Sequence, residues 1–564
     1  MWIAWREGSL RYSRRMRHRT HRSSTIAILA LFLAALASRR GSADTYPRQP
    51  GVDVANYAFN LVLTDTTDAI SGRAVVDVRI TTPGLREVRF DLVSASGRTD
   101  GKGMTVQAVR VGETPAPFRH EADVLHVDLS APPVPGSRLR IAVEYGGVPA
   151  SGLRIGPNRH GERTFFSDNW PDRGRHWLPL VDHPSDKATC EFIVTAPSHY
   201  QVVSNGLIVE ETDIDGGARR THWRQSVPIP PWLYVLGVAR FAVQHAGDFS
   251  GRPIETWVYR QDRDAGFFDF AQPSRQVLEY FSDAIGPYAY EKLANVQSPA
   301  TGGGMEAASA IMYGQDLVKG DRSERIRNVV IHEIAHQWWG NAVTESDWDD
   351  VWLSEGFATY FTLLFREHAY GHDDFIKGLL DARTRVLEFH AKNPGYRIVH
   401  DNLADTTKVT TGQVYQLGAW TLHMLRGVVG EEAFWRGVRA YYAEHMNGSA
   451  TTADFRRAME TASGRDLGVF FTQWLTRGGL PSADVTWSYE PGAVVISVSQ
   501  TQREDPWVMD LPVEITLPTG APRREVLALR DRQHTFRFAA EGAPRTVTVD
   551  PGHWVLIDAR VTQK

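Results

Sequence analysis

The hydrophobic periodicity of this chain changes twice along its length, and this restricts its possible folds more than any other feature. From about 52 to 248, short runs rich in Val, Ile, Tyr and Phe alternate with Gly, Pro, Asn and Asp, which is typical of β-strands. From about 252 to 478, apolar residues recur with a helical period. After 480 the strand pattern returns. The pattern predicts a β-rich part, then a mainly helical part, then a second β-rich part.

The length of 564 residues calls for several domains, because single hydrophobic cores stop growing at about 250–300 residues. We therefore predict a multidomain α+β protein. Its parts are an N-terminal antiparallel β domain at 44–250, a mainly α domain at 251–479 and a C-terminal β-sandwich at 480–564.

Residues 1–43 have the order of a secretory signal peptide: arginines, then an apolar stretch at 25–37, then small residues. The apolar stretch is short for a membrane-spanning helix, which needs about 20 residues. We expect cleavage near Ala43 and a secreted or periplasmic protein without a stable membrane span. An uncleaved signal anchor is the alternative.

Charge and cysteine content exclude some classes of protein. Residues 1–43 hold nine arginines and one acid, so the rest of the chain carries 53 of the 62 basic and 65 of the 66 acidic residues. An acidic body without a basic stripe argues against a nucleic-acid partner. Cys190 is the only cysteine, which excludes an intrachain disulfide. It lies in a strand-like run, and we expect a buried apolar residue rather than a nucleophile.

The helical part contains the run IHEIAHQWWGN at 331–341. Residues four apart on a helix lie on one face, so His332 and His336 can present two nitrogens to one ion, with Glu333 beside them. Zinc suits this set because imidazole is a good zinc ligand and a catalytic zinc keeps one coordination position for water. Two packed helix histidines are the alternative, since the short motif arises by chance in about one chain in twenty.

The position of Glu355 supports a metal site and argues against a chance occurrence of the short histidine motif. It follows His336 after eighteen residues, within WLSEGFATYF, where a second helix is expected. Two helices joined by a short connection can pack so that this carboxylate meets both imidazoles. Requiring Glu at one fixed position reduces the chance rate to about a few in a thousand. Together these residues predict a metallopeptidase site.

The set of motifs resembles the M1, or gluzincin, family of zinc aminopeptidases. HEIAHQWWGN and WLSEGFATYF are similar to its zinc motif, GGGMEAASAIMY to its exopeptidase motif, and QVYQLGAWTLHML to the segment of its catalytic tyrosine. LVDHPSDKATCEFIVTAPSHYQVVSNG resembles its N-terminal β domain. The resemblance covers about 50–478 and implies a thermolysin-like catalytic domain. We expect a short, bacterial-type form without the C-terminal helical domain of many members.

The resemblance implies roles for five residues. His332, His336 and Glu355 would hold one Zn²⁺ per chain. Glu333 would be the general base that takes a proton from the attacking water. Tyr415 would donate a hydrogen bond to the oxyanion of the tetrahedral intermediate. A buried core tyrosine is the alternative for Tyr415.

The loop GGGMEA is the predicted substrate-binding segment. The resemblance implies that Glu306 binds the positive α-amine of the substrate, so that only the first peptide bond reaches the metal. Gly303 and Gly304 would let the backbone approach the substrate closely, next to Met305. Ala307 stands where the family usually has Asn. A surface loop acid is the alternative for Glu306.

Asp168, in FFSDNWPDR, is a candidate for a second contact to the amine, at a place where many family members have Gln. An ordinary turn aspartate is the alternative.

The expected function is that of a monomeric zinc aminopeptidase acting on peptides with a free N-terminus. A zinc endopeptidase is one alternative, against which Glu306 and the three-glycine loop speak. An inactive peptide-binding protein on a peptidase fold is another, although such a protein would be expected to have lost Glu333 or a metal ligand.

Overall fold

Strands dominate both ends of the chain and helices its middle, as the periodicity predicts. The computed structural model describes residues 48–400, 403 and 405–564. The predicted signal peptide therefore lies outside the described residues, and its cleavage and the location of the protein stay predictions. No helix of the described part is both long and apolar enough to cross a membrane.

The described residues form eight α-helices and twenty-nine strands. The helices are α1 Arg263–Ala284, α2 Glu324–Ala335, α3 Trp352–Tyr370, α4 His372–Lys392, α5 Gly412–Val429, α6 Glu431–His445, α7 Thr452–Ser463 and α8 Gly468–Phe471. The strands are β1 Val52–Val62, β2 Ile70–Ile80, β3 Glu87–Asp91, β4 Gly103–Val111, β5 Thr114–Pro115, β6 Phe118–Glu121, β7 Val124–Asp128, β8 Arg138–Val148, β9 Leu153–Pro157, β10 Arg163–Ser167, β11 Ala188–Pro197, β12 Gln201–Ser204, β13 Leu207–Ile214, β14 Ala218–Ile229, β15 Leu236–Ala239, β16 Phe241–Phe249, β17 Arg252–Tyr259, β18 Leu293–Ser298, β19 Gly304–Met305, β20 Ala310–Gly314, β21 Val343–Glu345, β22 Gly448–Ala450, β23 Ser482–Glu490, β24 Ala493–Gln500, β25 Met509–Thr516, β26 Arg523–Leu529, β27 Gln533–Ala539, β28 Thr546–Val549 and β29 Asp558–Gln563.

The N-terminal β domain is built on an eight-stranded sheet in the order β13-β14-β11-β1-β2-β8-β4-β5. Its strands pair antiparallel except β1 and β11, which run parallel, so the prediction of a purely antiparallel domain is wrong for this pair. A parallel pair needs a long connection, which the strands between β1 and β11 supply. Alternate residues of β11 are buried, among them Cys190, which confirms that it is a buried side chain.

The helical middle part begins with a five-stranded sheet in the order β16-β17-β18-β20-β19. The boundary predicted at 250/251 lies in the turn between β16 and β17, which pair antiparallel, so β16 belongs to the same sheet as the strands that follow it. Every residue of β18 and of β20 is buried. Such strands lack the alternation that identifies a half-buried strand in a sequence.

Helices α3 and α5 pack closely against each other. A Cβ added to Gly356 on α3 would lie 2.8 Å from the Cα of Gly418 on α5, and the converse distance is the same. The two helices therefore touch backbone to backbone at these glycines. This contact brings the first turn of α5 beside the first turn of α3.

The C-terminal residues form a four-stranded sheet, β27-β24-β23-β29, and a three-stranded sheet, β26-β25-β28. Alternate residues of β24 and of β25 are buried, so each sheet has one covered face. Two sheets are thus present where the sequence predicts a sandwich, and their detailed sandwich packing stays a prediction.

Candidate metal centre

Helix α2 carries two imidazoles to one point. The helix ends at Ala335, and His336 follows with φ −58° and ψ −26°, so the helical turn continues through it. The Nε2 atoms of His332 and His336 lie 3.0 Å apart. The four-residue spacing therefore places both rings on one face of the helix, as expected from the sequence, and their Nε2 atoms face the same space.

Glu355, in the first turn of α3, completes a triangle of ligand atoms. Its Oε2 lies 3.3 Å from His332 Nε2 and 3.2 Å from His336 Nε2, yet it has no hydrogen-bond partner among the described residues. Tetrahedral zinc with bonds of about 2.0–2.1 Å holds its ligand atoms about 3.3 Å apart. The separations of the three atoms therefore fit a zinc ion.

Hydrogen bonds around His336 leave the correct nitrogen free. Its Nδ1 lies 3.0 Å from the carbonyl oxygen of Trp339 and 3.2 Å from Ser354 Oγ. Because a carbonyl oxygen only accepts, Nδ1 carries a proton, so that loss of the second proton from this ring leaves the lone pair on Nε2, which faces Glu355. Burial lowers the pKa of His332, which favours the neutral form of that ring. Neutral imidazoles are what a metal requires.

The charges around the triangle favour a cation. Burial lowers the pKa of His336, but the carboxylates of Glu306 and Glu355 and that of Glu333 raise it to about 10. Burial raises the pKa of Glu355, yet the charges of His336 and His332 beside it bring it well below its usual range. The site is therefore an enclosed region of negative potential.

Glu333 lies beside the triangle with one oxygen free. It is buried, and its Oε2 has no hydrogen-bond partner among the described residues. Burial, followed by the charge of Glu306, raises its pKa well above its usual value. A Cβ added to Gly304 would lie only 2.1 Å from the Glu333 carboxyl carbon, so the glycine loop passes directly over this carboxylate. Only a glycine permits that approach.

Tyr415, in the first turn of α5, also reaches the triangle. Its hydroxyl donates a hydrogen bond of 2.6 Å to Glu355 Oε1, and its ring stacks on His332 with centroids 5.9 Å apart. The bond satisfies Oε1 and leaves Oε2 to face the imidazoles. The side chain is half-buried at the site, which favours the predicted position over that of a core tyrosine.

Glu306 lies next to the imidazoles and not on the surface. It is buried, and its Oε1 lies 3.9 Å from His336 Nδ1. Burial raises its pKa to about 7, against the charge of His336. Its backbone oxygen accepts hydrogen bonds from Gln337 Nε2 at 2.9 Å and Asn341 Nδ2 at 2.7 Å. Neither residue was predicted from the sequence, although polar side chains in an otherwise apolar helix and turn are a signal.

The rest of the glycine loop forms the edge of the five-stranded sheet. Gly304 and Met305 make up β19, which pairs only with β20. The carbonyl oxygen of Gly303 accepts a hydrogen bond of 2.7 Å from the Gly314 amide. No strand of the described residues pairs with the other side of β19, so this strand is an edge of the sheet, the kind of site at which an extended chain can add.

Asp168 has its own partners. Its Oδ2 lies 2.6 Å from Arg173 Nη2, and its Oδ1 accepts a hydrogen bond of 3.3 Å from the Trp170 amide. Burial raises its pKa, opposed by Arg173. The pairing and the local turn contact favour the turn interpretation, and the predicted amine contact stays untested.

Comparison with known proteins agrees with these observations. The model of the Peptidase M1 N-terminal domain matches residues 55–233, and that of the Peptidase family M1 domain matches 271–474, which includes the triangle, Glu306 and Tyr415. Glutamyl aminopeptidase of Mus musculus is 29% identical over 332 residues, 57% of this chain and 35% of that protein. Probable aminopeptidase 1 of Saccharolobus solfataricus is 30% identical over 329 residues, 54% of this chain and 40% of that protein.

A solved structure extends the likeness to the fold. The M1 zinc metallopeptidase from Deinococcus radiodurans superimposes with a TM-score of 0.63 at 25% identity, over 76% of this chain and 94% of that one. By contrast, this chain spans less than half the length of the two curated relatives. The two matched models make up more than half of the chain and carry the metal triangle, which confirms the resemblance: the chain belongs to peptidase family M1.

Proposed function

We propose that this protein is a zinc-dependent aminopeptidase that hydrolyses the first peptide bond of peptides with a free N-terminus. The observation that carries the proposal is a buried carboxylate, Glu306, beside the His332–His336–Glu355 triangle. The α-ammonium group of a substrate would neutralise this charge. Only the N-terminal residue of a peptide carries this group next to the peptide bond that reaches the metal site.

His332, His336 and Glu355 are the residues that would hold one zinc ion per chain. Zinc bound there supplies a Lewis acid that polarises the scissile carbonyl and makes water more acidic. Glu333 has a free Oε2 beside this position, so it takes the proton of the attacking water as the new carbon–oxygen bond forms. The same proton then passes to the departing amine as the carbon–nitrogen bond breaks.

Two further elements orient the substrate. The hydroxyl of Tyr415, which donates to Glu355 Oε1 here, is close enough to the triangle to donate to the oxyanion instead. The open edge of β19 offers backbone groups to an extended peptide, in the manner of an added strand. With Glu306 fixing the amine, this arrangement supports cleavage one residue from the end.

The test uses unblocked amino-acid anilides and peptides with free or acetylated N-termini. We expect the purified protein to release the chromophore, a chelator to stop the reaction and zinc to restore it. Glu333→Ala should abolish activity while zinc content stays near one per chain. Cleavage of acetylated peptides at internal bonds would instead establish an endopeptidase. Binding of peptides without any cleavage would establish an inactive binding protein.

For the whole protein we propose a monomer located outside the cytoplasm, with residues 480–564 packed as a β-sandwich. The N-terminal segment of the sequence supports the location, and the two half-covered C-terminal sheets support the sandwich. Cell fractionation with N-terminal sequencing of the mature protein tests the location. Light scattering of the purified protein tests the oligomeric state.

A further inference from the structure

A cavity of about 650 Å³ opens from the metal site between helices α2, α3, α4 and α5. His332, Glu333 and Tyr415 are among the residues that line it. Its volume is in the range of sites for small ligands, about 300–1,000 Å³. Whatever enters this cavity therefore lies next to the residues that would perform the reaction.

Three arginines line this cavity. Arg325 on α2 and Arg385 on α4 are exposed, and neither forms an ion pair or a hydrogen bond with any described residue. Arg366 on α3 is buried, and its Nε donates a hydrogen bond of 2.6 Å to Asp374 Oδ2. Within the described chain, Arg366 Nη1 has no acceptor. A Cβ added to Gly378 would lie 2.8 Å from this Nη1 atom.

Three acids, Glu324, Glu333 and Asp381, also line the cavity, but within the described residues none of them forms an ion pair with either exposed arginine. Glu324 lies 3.3 Å from Lys377 Nζ and 3.7 Å from Arg366 Nη2, so its charge already has partners. Asp381 lies one helical turn before Arg385, but no ion pair joins the two in the part of the chain that the structure describes. Two guanidinium groups at the mouth are thus available to an anion from solution.

The cavity lies away from the proposed position of the substrate amine. Of the described residues that line it, none belongs to the glycine loop 302–306, which carries Glu306. A peptide whose first residue is held at Glu306 would cross the triangle and continue into this cavity. The part beyond the cleaved bond, which leaves as the shortened peptide, would therefore meet the arginines.

We propose, resting on the aminopeptidase function above, that Arg325 and Arg385 bind a carboxylate of the leaving part of the substrate. The expected substrate class is short peptides, of two to four residues, whose free C-terminus lies close to the cleaved bond. Guanidinium groups suit this role because their planar donors match a carboxylate. An acidic side chain near the cleaved bond supplies the same group and is the second source.

The experiment compares kcat/KM of the zinc-loaded, full-length protein on alanine peptides of two to six residues, each as free acid and as C-terminal amide. We expect the free acids of two to four residues to be preferred about 1.5- to fivefold, the size of an exposed charge contact. The preference should vanish at six residues. In Arg325→Gln and Arg385→Gln the ratio of free acid to amide should fall towards one.

Arg503→Gln is the matched control, because Arg503 is exposed and does not line the cavity. It should keep the wild-type ratio. Amidated tripeptides with Glu or Gln at the second or third position distinguish the two carboxylate sources. A Glu preference that disappears in the arginine variants assigns a side chain as the source and supports the site.

A ratio of one for wild-type protein at every length, or a ratio that both variants leave unchanged, would overturn the inference. These results differ from a failure of the proposed function, in which neither free acids, amides nor anilides are cleaved. Using a ratio within each variant also removes differences in the active fraction of the preparations.

Discussion

At the scale of single residues, the approach of the two imidazoles and the Glu355 carboxylate was predictable from the sequence, and the contacts that support them were not. His332, His336 and Glu355 follow from helix geometry and a fixed spacing, which are local properties of the sequence. The bond from Tyr415 to Glu355 Oε1 and the one from Asn341 to the Glu306 carbonyl join distant segments. Such contacts depend on how the chain packs, which no local pattern encodes.

Gly304 is the residue at which a single methyl group should matter most. Its Cβ would lie 2.1 Å from the Glu333 carboxyl carbon, so Gly304→Ala must move either the loop or the carboxylate that we propose as the general base. A displacement of about 1 Å at a reacting group costs about 100-fold in rate. We expect kcat/KM on an anilide to fall by about that factor, while zinc content stays unchanged because the ligands are elsewhere.

Gly302→Ala is the control for this substitution, since a Cβ at Gly302 meets no atom within 4 Å. It should keep wild-type kcat/KM. Equal activity of the two alanine variants would show that the loop does not hold Glu333 in place.

At the scale of elements, amphipathic helices and half-buried strands were visible in the sequence, but fully buried strands were not. β11 alternates between buried and partly exposed residues and was expected as a strand. β18 and β20 are buried throughout, and they lie in a region predicted to be helical. A strand that is buried on both faces lacks the alternation of buried and exposed positions that identifies a strand in a sequence. The sheet that carries the glycine loop was missed for this reason.

The crossing of α3 and α5 gives a prediction at this scale. Gly356→Ala would place a Cβ 2.8 Å from Gly418 Cα and 3.0 Å from the Val414 carbonyl oxygen, so the helices must separate. Overpacking of this kind costs about 1–3 kcal/mol. We expect a lower melting temperature and a lower kcat, because Tyr415 moves relative to Glu355.

Gly412→Ala is the matched change on the facing helix, α5. A Cβ there meets only the Gln416 Oε1 atom, at 3.5 Å. Alanine favours the helix by up to about 1 kcal/mol over glycine, so the melting temperature should rise or stay constant. A melting temperature of Gly356→Ala at or above that of the wild-type protein would contradict a backbone contact between the helices.

At the scale of the whole molecule, the order of β-rich, helical and β-rich parts follows from periodicity, but the contacts between these parts do not. Lys187, just before β11 in the N-terminal domain, is an example. Its Nζ donates hydrogen bonds to the carbonyl oxygens of Asn341 at 2.9 Å, Ala342 at 3.1 Å and Gly448 at 2.9 Å. One buried amine thus joins the β-rich domain to the segment that follows the HEIAH motif.

This lysine should couple the N-terminal domain to substrate binding. Asn341, whose carbonyl oxygen accepts from Lys187, uses its own side chain to hold the Glu306 carbonyl. Lys187→Met would remove these three hydrogen bonds to carbonyl oxygens, each worth about 0.5–1.5 kcal/mol. We expect a lower melting temperature together with a higher KM for unblocked anilides, because the Glu306 loop loses its support. Lys319→Met, at an exposed position, should change neither quantity. If Lys187→Met lowers the melting temperature but leaves KM at the wild-type value, the lysine only stabilises the fold and the N-terminal domain does not position the amine site.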